Sequence, residues 1–308
     1  EILIGLVGSE MCIRDRCYES GISVTSLPGA AACITALTIS GLSTRRFAFE
    51  AFLPSDKKER EQILKEMETE TRTMIVYEAP HRLVKTLKLF LERLGKRYPD
   101  MLMEGCSGGG GRFDAGMLYY TPQIWCSDDT DAIERLDIQY RTSFCYPVST
   151  MGAHVSACPN HQTGRSVPLS TRATVAMAGT FGYELDPAKL TSEEKAEIRE
   201  QIIRFKEYYE LIQTGDYFRL TSPDTERYYS AWEFAALDKK EALVSVVASR
   251  VRANDQPARV LLRGLQENGI YVCDGKEYTG GALMYAGFPL PEAKQEYESW
   301  NFHFLLKE

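Results

Sequence analysis

The chain has 308 residues, of which 44% are hydrophobic and 26% charged, and its formal net charge is −7. This composition excludes a disordered chain, and the net charge lacks the basic footprint of a nucleic-acid-binding protein. No apolar run reaches the roughly 18 residues of a membrane-spanning helix. We therefore expect a soluble globular protein without a membrane partner, and the net charge disfavours nucleic acid while leaving local basic patches open.

The eight cysteines lie at scattered positions and form no Cys-x-x-Cys pair. The sequence therefore supports neither a zinc site nor a thioredoxin-like site. Because no secretory signal is present, we predict reduced thiols and a cytoplasmic location. His154 and His161 lack the spacing of a metal pair, so we expect them to form hydrogen bonds in loops. We predict no metal and no cofactor.

The N-terminal segment, residues 1–16, is EILIGLVGSEMCIRDR. Residues 10–15 resemble the conceptual translation of a transposon adapter used in sequencing libraries, whose codons GAG ATG TGT ATA AGA GAC match in frame. A natural strand followed by a charged turn is the alternative. We favour the adapter and treat residues 1–16 as an adapter-like segment outside any domain.

Residues 17–94 alternate predicted strands with predicted helices. The predicted elements are a short strand GISV, a small-residue helix ending at Gly41, a charged helix with an apolar stripe of Ile63, Leu64 and Met67, a strand Thr73–Tyr77, and an amphipathic helix ending at Gly95. This order is typical of part of an α/β layer.

Three motifs in this segment, SLPGAAACITAL, RRFAFEAFLP and YEAPHRLVKTL, resemble the ribosomal RNA small-subunit methyltransferase I family. The resemblance implies a tetrapyrrole-methylase-like α/β fragment that transfers methyl from S-adenosylmethionine to a ribose 2′-oxygen. The Gly-rich N-terminal half of that family has no counterpart here, so we expect no methyl transfer. His81 and Arg82 could contact RNA or cofactor, or form a salt-bridged pair at a helix start.

Four consecutive glycines, Gly108–Gly111, follow the short apolar strand DMLMEGC. They match neither a P-loop nor a dinucleotide fingerprint, because Arg112 follows where the P-loop needs Lys. The next apolar run, PQIWCSDDTD, ends in Asp128, Asp129 and Asp131. Carboxylates and bare backbone at the ends of strands suit acid/base work on a glycosidic bond in a β/α barrel.

The segments EGCSGGGGRFDAGMLYYTPQIWCSDDTDAIERLDIQYRTSF, GAHVSACPNHQTGR and VAMAGTFGYELD resemble the α-galactosidases of glycoside hydrolase family 36, over residues 96–308. The resemblance implies a (β/α)8 barrel finished by a C-terminal β-sandwich. It implies retaining hydrolysis of terminal α-galactosides such as melibiose and raffinose, in a family that often forms homotetramers. Asp128 corresponds to the acid/base, Cys106 to a galactose-binding residue, and Gly108 and Gly109 to backbone contacts.

Structural roles compete for several of these residues. Asp129 and Asp131 could cap the helix TDAIERL, and for Asp131 we favour the cap. Cys106 by itself would most often be a small buried hydrophobe. Trp125 fits a core or pocket-wall position better than a chemical role.

The rest of the chain predicts structural elements. Thr191 and Glu194 have capping-box spacing and open a helix whose buried face we place at Ile198, Ile202, Phe205, Tyr209 and Ile212. After Gly215 the pattern turns to strands, with a hairpin at Asp274-Gly275 and a final strand that carries Trp300, Phe302, Phe304 and Leu306 on one face. These patterns predict an antiparallel terminal domain.

A retaining glycosidase needs a second carboxylate about 5–5.5 Å from the first. In the resembled family this nucleophile lies in a Lys-Trp-Asp motif, and none of the three tryptophans here lies in one. Asp114 is a candidate substitute. We therefore predict part of an α-galactosidase that is inactive as this chain, with ribosomal RNA methylation as the competing function and a carbohydrate-binding remnant as a third.

The domain prediction follows from these resemblances. It comprises the segment 1–16, a methyltransferase-like fragment 17–94, part of a glycosidase barrel 95–215 and a β-sandwich domain 216–308. We favour a chimera joined within residues 88–97 over a genuine fusion, because both resembled families are cut within a domain.

Overall fold

The computed structural model describes residues 16–17, 19–23, 32–106, 113–224, 228–251 and 258–307. The adapter-like residues 1–15 and the glycine pair 108–109 lie outside this part of the chain. The chain divides into two compact units, Glu1–Leu91 and Glu92–Glu308. This division lies three residues before the predicted boundary at 94/95, and the second unit is not divided at 215/216.

The first unit contains a parallel pair of strands and its helices. Its elements are α1 Ala32–Ile39, β1 Phe47–Phe52, α2 Lys57–Met67, β2 Thr73–Tyr77 and α3, Pro80–Arg97, which runs into the second unit. Strands β1 and β2 are parallel, and Leu64 of α2 is buried at 2% exposure. The predicted strand Thr73–Tyr77 is thus confirmed.

Two predicted boundaries in this region are wrong. Helix α3 does not end at Gly95 but continues to Arg97. A glycine inside a helix costs only about 1 kcal/mol, which the flanking Leu94 and Lys96 can offset because both are good helix formers. Ile22 and Ser23 of the predicted strand GISV are not in a strand, and Val24 lies outside the described residues.

A four-stranded parallel sheet forms the first layer of the second unit. Its strands are β3 Glu104–Gly105, β4 Gln123–Trp125, β5 Met151–Ser156 and β6 Thr180–Glu184, in the order β3-β4-β5-β6. Helices α4 Ala115–Leu118, α5 Ala132–Thr142 and α6 Leu169–Met177 follow the first three strands. Parallel neighbours need such crossovers, and these place the carboxyl ends of all four strands at one edge.

Helix α7, Ser192–Thr214, leads from this layer to the rest of the unit. The predicted capping box is confirmed, since Thr191 and Glu194 each hydrogen-bond the backbone N–H of the other. The predicted burial of Tyr209 is wrong, because this side chain is 53% exposed. The neighbouring Tyr208 packs in the core instead, about 100° further round the helix.

The centre of the buried stripe explains this error. Gln201 of α7 is buried and accepts a hydrogen bond of 2.8 Å from the hydroxyl of Tyr183. A satisfied polar residue therefore lies on the buried face, and the apolar spacing alone could not show it.

An antiparallel sheet of six strands forms the second layer. The strands that follow α7 are β7 Asp216–Arg219, β8 Tyr229–Ala235, β9 Glu241–Ala248, β10 Arg259–Val260, β11 Ile270–Cys273, β12 Lys276–Thr279, β13 Phe288–Pro289 and β14 Ser299–Leu306. The sheet has the order β12-β11-β14-β9-β8-β7, and β10 pairs separately with β13. The chain therefore combines α/β structure with an antiparallel sheet.

Both faces of the six-stranded sheet are covered. One face, which includes Val244, Phe302 and Phe304, packs against Val260 and Phe288 of the β10–β13 ribbon. On the other face Trp232, Phe234, Leu243 and Val247 share a core with Leu211 and Ile212 of α7. In the predicted β-sandwich, the six-stranded sheet therefore packs against the two-stranded β10–β13 ribbon rather than against a second full sheet.

Two local predictions for this layer are confirmed. Strands β11 and β12 form a hairpin in which Asp274 and Gly275 have φ of 49° and 73°, the positive values that a type I′ turn needs. The face of β14 that carries Trp300, Phe302, Phe304 and Leu306 contributes to the apolar core. Among the described residues, no helix is long and apolar enough to cross a membrane.

A chain of hydroxyl and amide groups joins α6 to the last strand. The amide of Asn301 donates to Oγ1 of Thr174 at 2.9 Å, and Ser299 Oγ lies 3.3 Å from the same oxygen. Thr171 Oγ1 lies 3.0 Å from Ser299 Oγ and donates to the carbonyl of Tyr297 at 2.5 Å. This polar seam ties the two layers of the second unit together.

Candidate functional site

The candidate site lies at the carboxyl ends of β3, β4 and β5. Cys106 follows β3 directly, and Asp128 lies three residues after β4; both are exposed. In the sheet register Gly105 at the end of β3 pairs with Ile124 next to the end of β4. Oγ of Ser156 at the end of β5 donates to the carbonyl of Thr130 at 3.0 Å, so the three strand ends meet at one edge. The structure thus brings Cys106 and Asp128 to neighbouring strand ends, while Gly108 and Gly109 lie outside the described residues.

Trp125 directly contacts the candidate acid. Its indole Nε1 donates a hydrogen bond of 3.1 Å to Oδ1 of Asp128. The ring lies 4.5 Å from the His154 ring and 5.1 Å from the Arg135 guanidinium carbon. A Cβ on Gly152 would lie 2.8 Å from Trp125 Cε3, so the indole packs on bare backbone. The predicted wall position of Trp125 therefore includes a polar contact with the acid.

The turn of residues 127–131, here called the acid turn, is fixed at its start by Arg135. This side chain is 3% exposed and donates to the carbonyl of Ser127 at 3.2 Å, to the carbonyl of Gly152, and to Oε1 of Gln139 at 3.2 Å. A buried guanidinium needs such acceptors for its five N–H donors. The residue that precedes Asp128 is thereby attached to α5 and β5.

The end of the acid turn is fixed by Asp131, the predicted helix cap. Its buried carboxylate accepts from the backbone N–H groups of Ile133 and Glu134, and this confirms the cap. It also accepts from Thr163 and, at 2.5 Å, from Arg165. Burial alone would raise the pKa of Asp131, but these hydrogen bonds outweigh it and lower the pKa. Asp131 is therefore a structural carboxylate.

The loop of residues 157–165, here called the β5 loop, contacts the middle of the acid turn. Gln162 donates from Nε2 to the carbonyl of Asp128 at 3.1 Å and accepts at Oε1 from the N–H of Thr130 at 3.0 Å. Asn160 donates to Thr130 Oγ1 at 3.1 Å. Sequence reasoning assigned no role to these two side chains, although the polar run PNHQTGR directly after a strand end is a signal that could have found them.

The histidines form no metal site. The expectation of a loop position for His154 is wrong, since this residue lies in β5 with Nδ1 3.7 Å from Oε2 of Glu184. His161 is exposed in the β5 loop. Within the described ranges, no group of three or more His, Cys, Asp or Glu side chains could hold a metal ion.

Other candidate residues have structural contacts. Asp114 Oδ1 accepts from the N–H of Met117 at 3.0 Å, and this caps α4. In the first unit Arg82 lies 3.5 Å from Glu78 and donates to the carbonyl of Leu53 at 3.2 Å. The structure therefore favours the salt-bridge alternative for Arg82.

A cavity of about 410 Å³ lies elsewhere, between α6, α7 and β14. Its walls carry Glu197, Glu200, Arg204 and Asp274, and they include neither Cys106 nor Asp128. This cavity is therefore separate from the candidate site at the strand ends.

Comparison with known proteins gives matches over both layers of the second unit. The profile of the Melibiase family matches residues 56–215, and that of the glycosyl hydrolase family 36 C-terminal domain matches residues 229–304. The first match begins inside the segment 17–94, so the methyltransferase resemblance of that segment gains no support and stays a prediction.

Two curated relatives are similar over about 70% of this chain. The bifunctional α-galactosidase/sucrose kinase AgaSK of Mediterraneibacter gnavus is 59% identical over 222 residues, which are 71% of this chain and 24% of the relative. The α-galactosidase AgaA of Geobacillus stearothermophilus is 48% identical over 223 residues, 72% of this chain and 30% of the relative. The chain thus spans about a quarter to a third of the length of these relatives.

Solved structures give the same result. The galactosidase domain of AgaSK matches with a TM-score of 0.72 and 50% identity over 82% of this chain and 38% of that one. A family 36 α-galactosidase, AgaA from Geobacillus stearothermophilus in complex with raffinose, matches with a TM-score of 0.73 and 38% identity over 82% of this chain and 39% of the other.

Proposed function

Because the chain belongs to the Melibiase family and carries a family 36 C-terminal domain, we propose that it provides the acid/base part of a retaining α-galactosidase site. The observation that supports this most is the exposed carboxylate of Asp128 at the end of β4, hydrogen-bonded by Trp125. Chemistry at the carboxyl ends of parallel strands is the rule for β/α barrels. The substrate class is terminal α-galactosides.

In this proposal Asp128 acts twice. It first gives its proton to the oxygen of the leaving group, and it then removes a proton from the water that hydrolyses the galactosyl-enzyme intermediate. Cys106, at the end of the neighbouring strand, contacts the galactose ring together with the backbone of Gly108 and Gly109. Structures of relatives in complex with raffinose and stachyose support oligosaccharides of this class as substrates.

The nucleophile has no counterpart among the 308 residues. None of the three tryptophans lies in a Lys-Trp-Asp motif, and the substitute candidate Asp114 already caps α4. In this proposal the 308 residues supply the acid/base, and the second carboxylate has no assigned residue. We expect the 308-residue chain alone to release no 4-nitrophenol from 4-nitrophenyl α-galactoside.

A hybrid enzyme tests the proposal. Residues 92–308 replace the matching C-terminal part of AgaA, and the product is here called the AgaA hybrid. We expect it to hydrolyse raffinose, and we expect Asp128→Asn to abolish this activity while the hybrid keeps its fold. A folded hybrid that is inactive with Asp128 present, or active with Asn in its place, would overturn the proposal.

The remaining predictions are extensions of this proposal. A tetrameric assembly and a cytoplasmic location are supported only by the family resemblance and the free thiols, and native mass spectrometry of the purified chain tests the first. The chimera rests only on the three motifs in order, and the Melibiase match over residues 56–215 runs across its proposed join. Amplification of the source locus across codons 80–100 tests it, and a continuous product would overturn a join made by sequence assembly.

A further inference from the structure

We propose that Gln162 is a positioning residue for Asp128, and that its side-chain amide clamps the backbone of the acid turn. The catalytic meaning of this clamp rests on the proposed function, because it requires Asp128 to be the acid/base. The clamp itself can be tested without activity. It assigns a role to a side chain that touches no reacting group.

The first step is the pairing of one amide with two backbone groups. Nε2 of Gln162 donates to the carbonyl of Asp128 at 3.1 Å, while Oε1 accepts from the N–H of Thr130 at 3.0 Å. These two contacts lie on either side of Asp129. A side chain that binds both ends of a three-residue segment fixes its path, because the planar amide allows little relative movement.

The second step is the rigidity of the clamp. Oδ1 of Asn160 accepts from the N–H groups of Gln162 at 2.8 Å and of Thr163 at 3.1 Å. The N–H of Asn160 donates to the carbonyl of Arg165 at 2.9 Å, and Asn160 is only 5% exposed. Gln162 is therefore held on a loop that closes on itself, and the side chain acts from a fixed base.

The third step is that different side chains hold different parts of the acid turn. Arg135 holds the carbonyl of Ser127, and Asp131 holds the start of α5. Gln162 binds the carbonyl of Asp128, and Oγ of Ser127 accepts from the N–H of Asp129 in the same peptide group at 3.1 Å. Loss of the Gln162 contact leaves both ends anchored and removes the hydrogen bond that ties this peptide group to the β5 loop.

The consequence for chemistry follows from the demands of proton transfer. A general acid has to lie within hydrogen-bond reach of the leaving oxygen, and a shift of about 1 Å can cost on the order of a hundredfold in rate. Because Asp128 and Gln162 are both exposed, water can replace the lost hydrogen bonds. Removing the clamp should therefore change the position of the carboxylate more than the stability of the fold.

The indole N–H of Trp125 offers a direct probe in the 308-residue chain. The chain has three tryptophans, and only the Trp125 indole donates to Oδ1 of Asp128 among the described contacts. In nitrogen–proton correlation spectra, Asp128→Asn identifies this resonance by moving it. We expect Gln162→Ala to shift and broaden the same resonance, and to leave those of Trp232 and Trp300 in place.

Two further variants sharpen the test. His161→Ala removes the exposed neighbour in the same loop and should leave the Trp125 resonance unchanged. In Gln162→Glu the side chain can still accept from Thr130 but cannot donate to the carbonyl of Asp128. We therefore expect this variant to move the Trp125 resonance while the Thr130 amide stays protected from exchange.

Amide exchange gives an independent measure. In Gln162→Ala the Thr130 N–H should exchange about tenfold faster, as expected when one ordinary hydrogen bond is lost. An unchanged Trp125 resonance and an unchanged Thr130 exchange rate in Gln162→Ala would overturn the clamp. If Gln162→Ala does not fold, an unmoved Trp125 resonance in Gln162→Glu would overturn the clamp. An inactive AgaA hybrid would count against the proposed function and leave these results unaffected.

Discussion

The indole nitrogen of Trp125 donates a hydrogen bond of 3.1 Å to the carboxylate of Asp128, three residues along the chain. Strand β4 ends at Trp125, so the donor belongs to the sheet while the acceptor belongs to the turn that leaves it. The sheet thereby sets the position of the carboxylate through a side chain as well as through the backbone.

Trp125→Phe removes this donor and keeps an aromatic ring against Gly152. We expect kcat for raffinose in the AgaA hybrid to fall on the order of tenfold to a hundredfold, because the acid loses the side-chain contact that sets its position. The fall should be smaller for 4-nitrophenyl α-galactoside, whose leaving group needs less protonation. Steady-state kinetics with both substrates measure the difference, and equal losses would contradict a role for Trp125 in placing the acid.

Gly152→Ala should displace the indole by steric contact. The added Cβ would lie 2.8 Å from Trp125 Cε3 and 3.4 Å from the carbonyl of Ile124, and neither the rigid ring nor the strand can move cheaply. We expect a loss of about 1–3 kcal/mol in the free energy of unfolding, measured in urea. Gly95→Ala is the matched control, since that site in α3 is open and should gain about 0.5–1 kcal/mol.

Asp131→Ala removes a helix cap and the partner of Arg165 together. We expect a loss of about 2–4 kcal/mol in the free energy of unfolding, because Ile133, Glu134 and Arg165 all lose an acceptor. Asp224→Ala is the control for an exposed ion pair, here with Arg141, and should cost less than about 1 kcal/mol. Equal losses in the two variants would refute the structural role of Asp131.

The carboxylate of Asp131 also predicts that the free energy of unfolding falls on acidification. The pKa of Asp131 is lowered in the folded chain, so its contribution to stability is present above the ordinary value of 3.8 and is lost as pH falls through the folded value. Urea unfolding between pH 5 and pH 2, compared with Asp131→Asn, should show the wild type losing more stability on acidification.

Glu233 in β8 predicts a dependence of opposite sign. Its side chain is fully buried and accepts from the N–H groups of Arg263 at 2.7 Å and Gly264 at 3.0 Å. Burial raises its pKa above the ordinary 4.5, although these hydrogen bonds partly offset the effect. Its contribution is therefore present below pH 4.5 and declines as pH rises. Glu233→Gln should show a flatter curve of unfolding free energy against pH above 4.5, and parallel curves would contradict this.

Local patterns predicted much of the fold. The capping box at Thr191 and Glu194, the Asp274-Gly275 turn and the alternation along β14 each lie within a few residues of sequence, where spacing determines geometry. The burial of α7 was predicted less well. Gln201 lies on its buried face because Tyr183, eighteen positions away, satisfies the amide.

In the candidate site, too, local patterns could be predicted from the sequence and long-range contacts could not. Motif resemblance proposed Asp128 and Cys106 as candidates, and helix-start chemistry correctly predicted the cap at Asp131. The contacts of Gln162 with Asp128 and Thr130 span more than thirty residues of chain and depend on how β4 and β5 align. No periodicity in the sequence encodes such a pairing, so only the folded arrangement reveals it.

The polar seam between α6 and β14 limits how this protein can be recombined. Thr171 and Thr174 on the helix find their partners among residues 297–301, more than 120 positions later. A gene-shuffling crossover near residue 215 would put these groups against a foreign strand that need not carry the side-chain partners Ser299 and Asn301. Exchange between homologous enzymes should therefore succeed when residues 92–308 travel as one block.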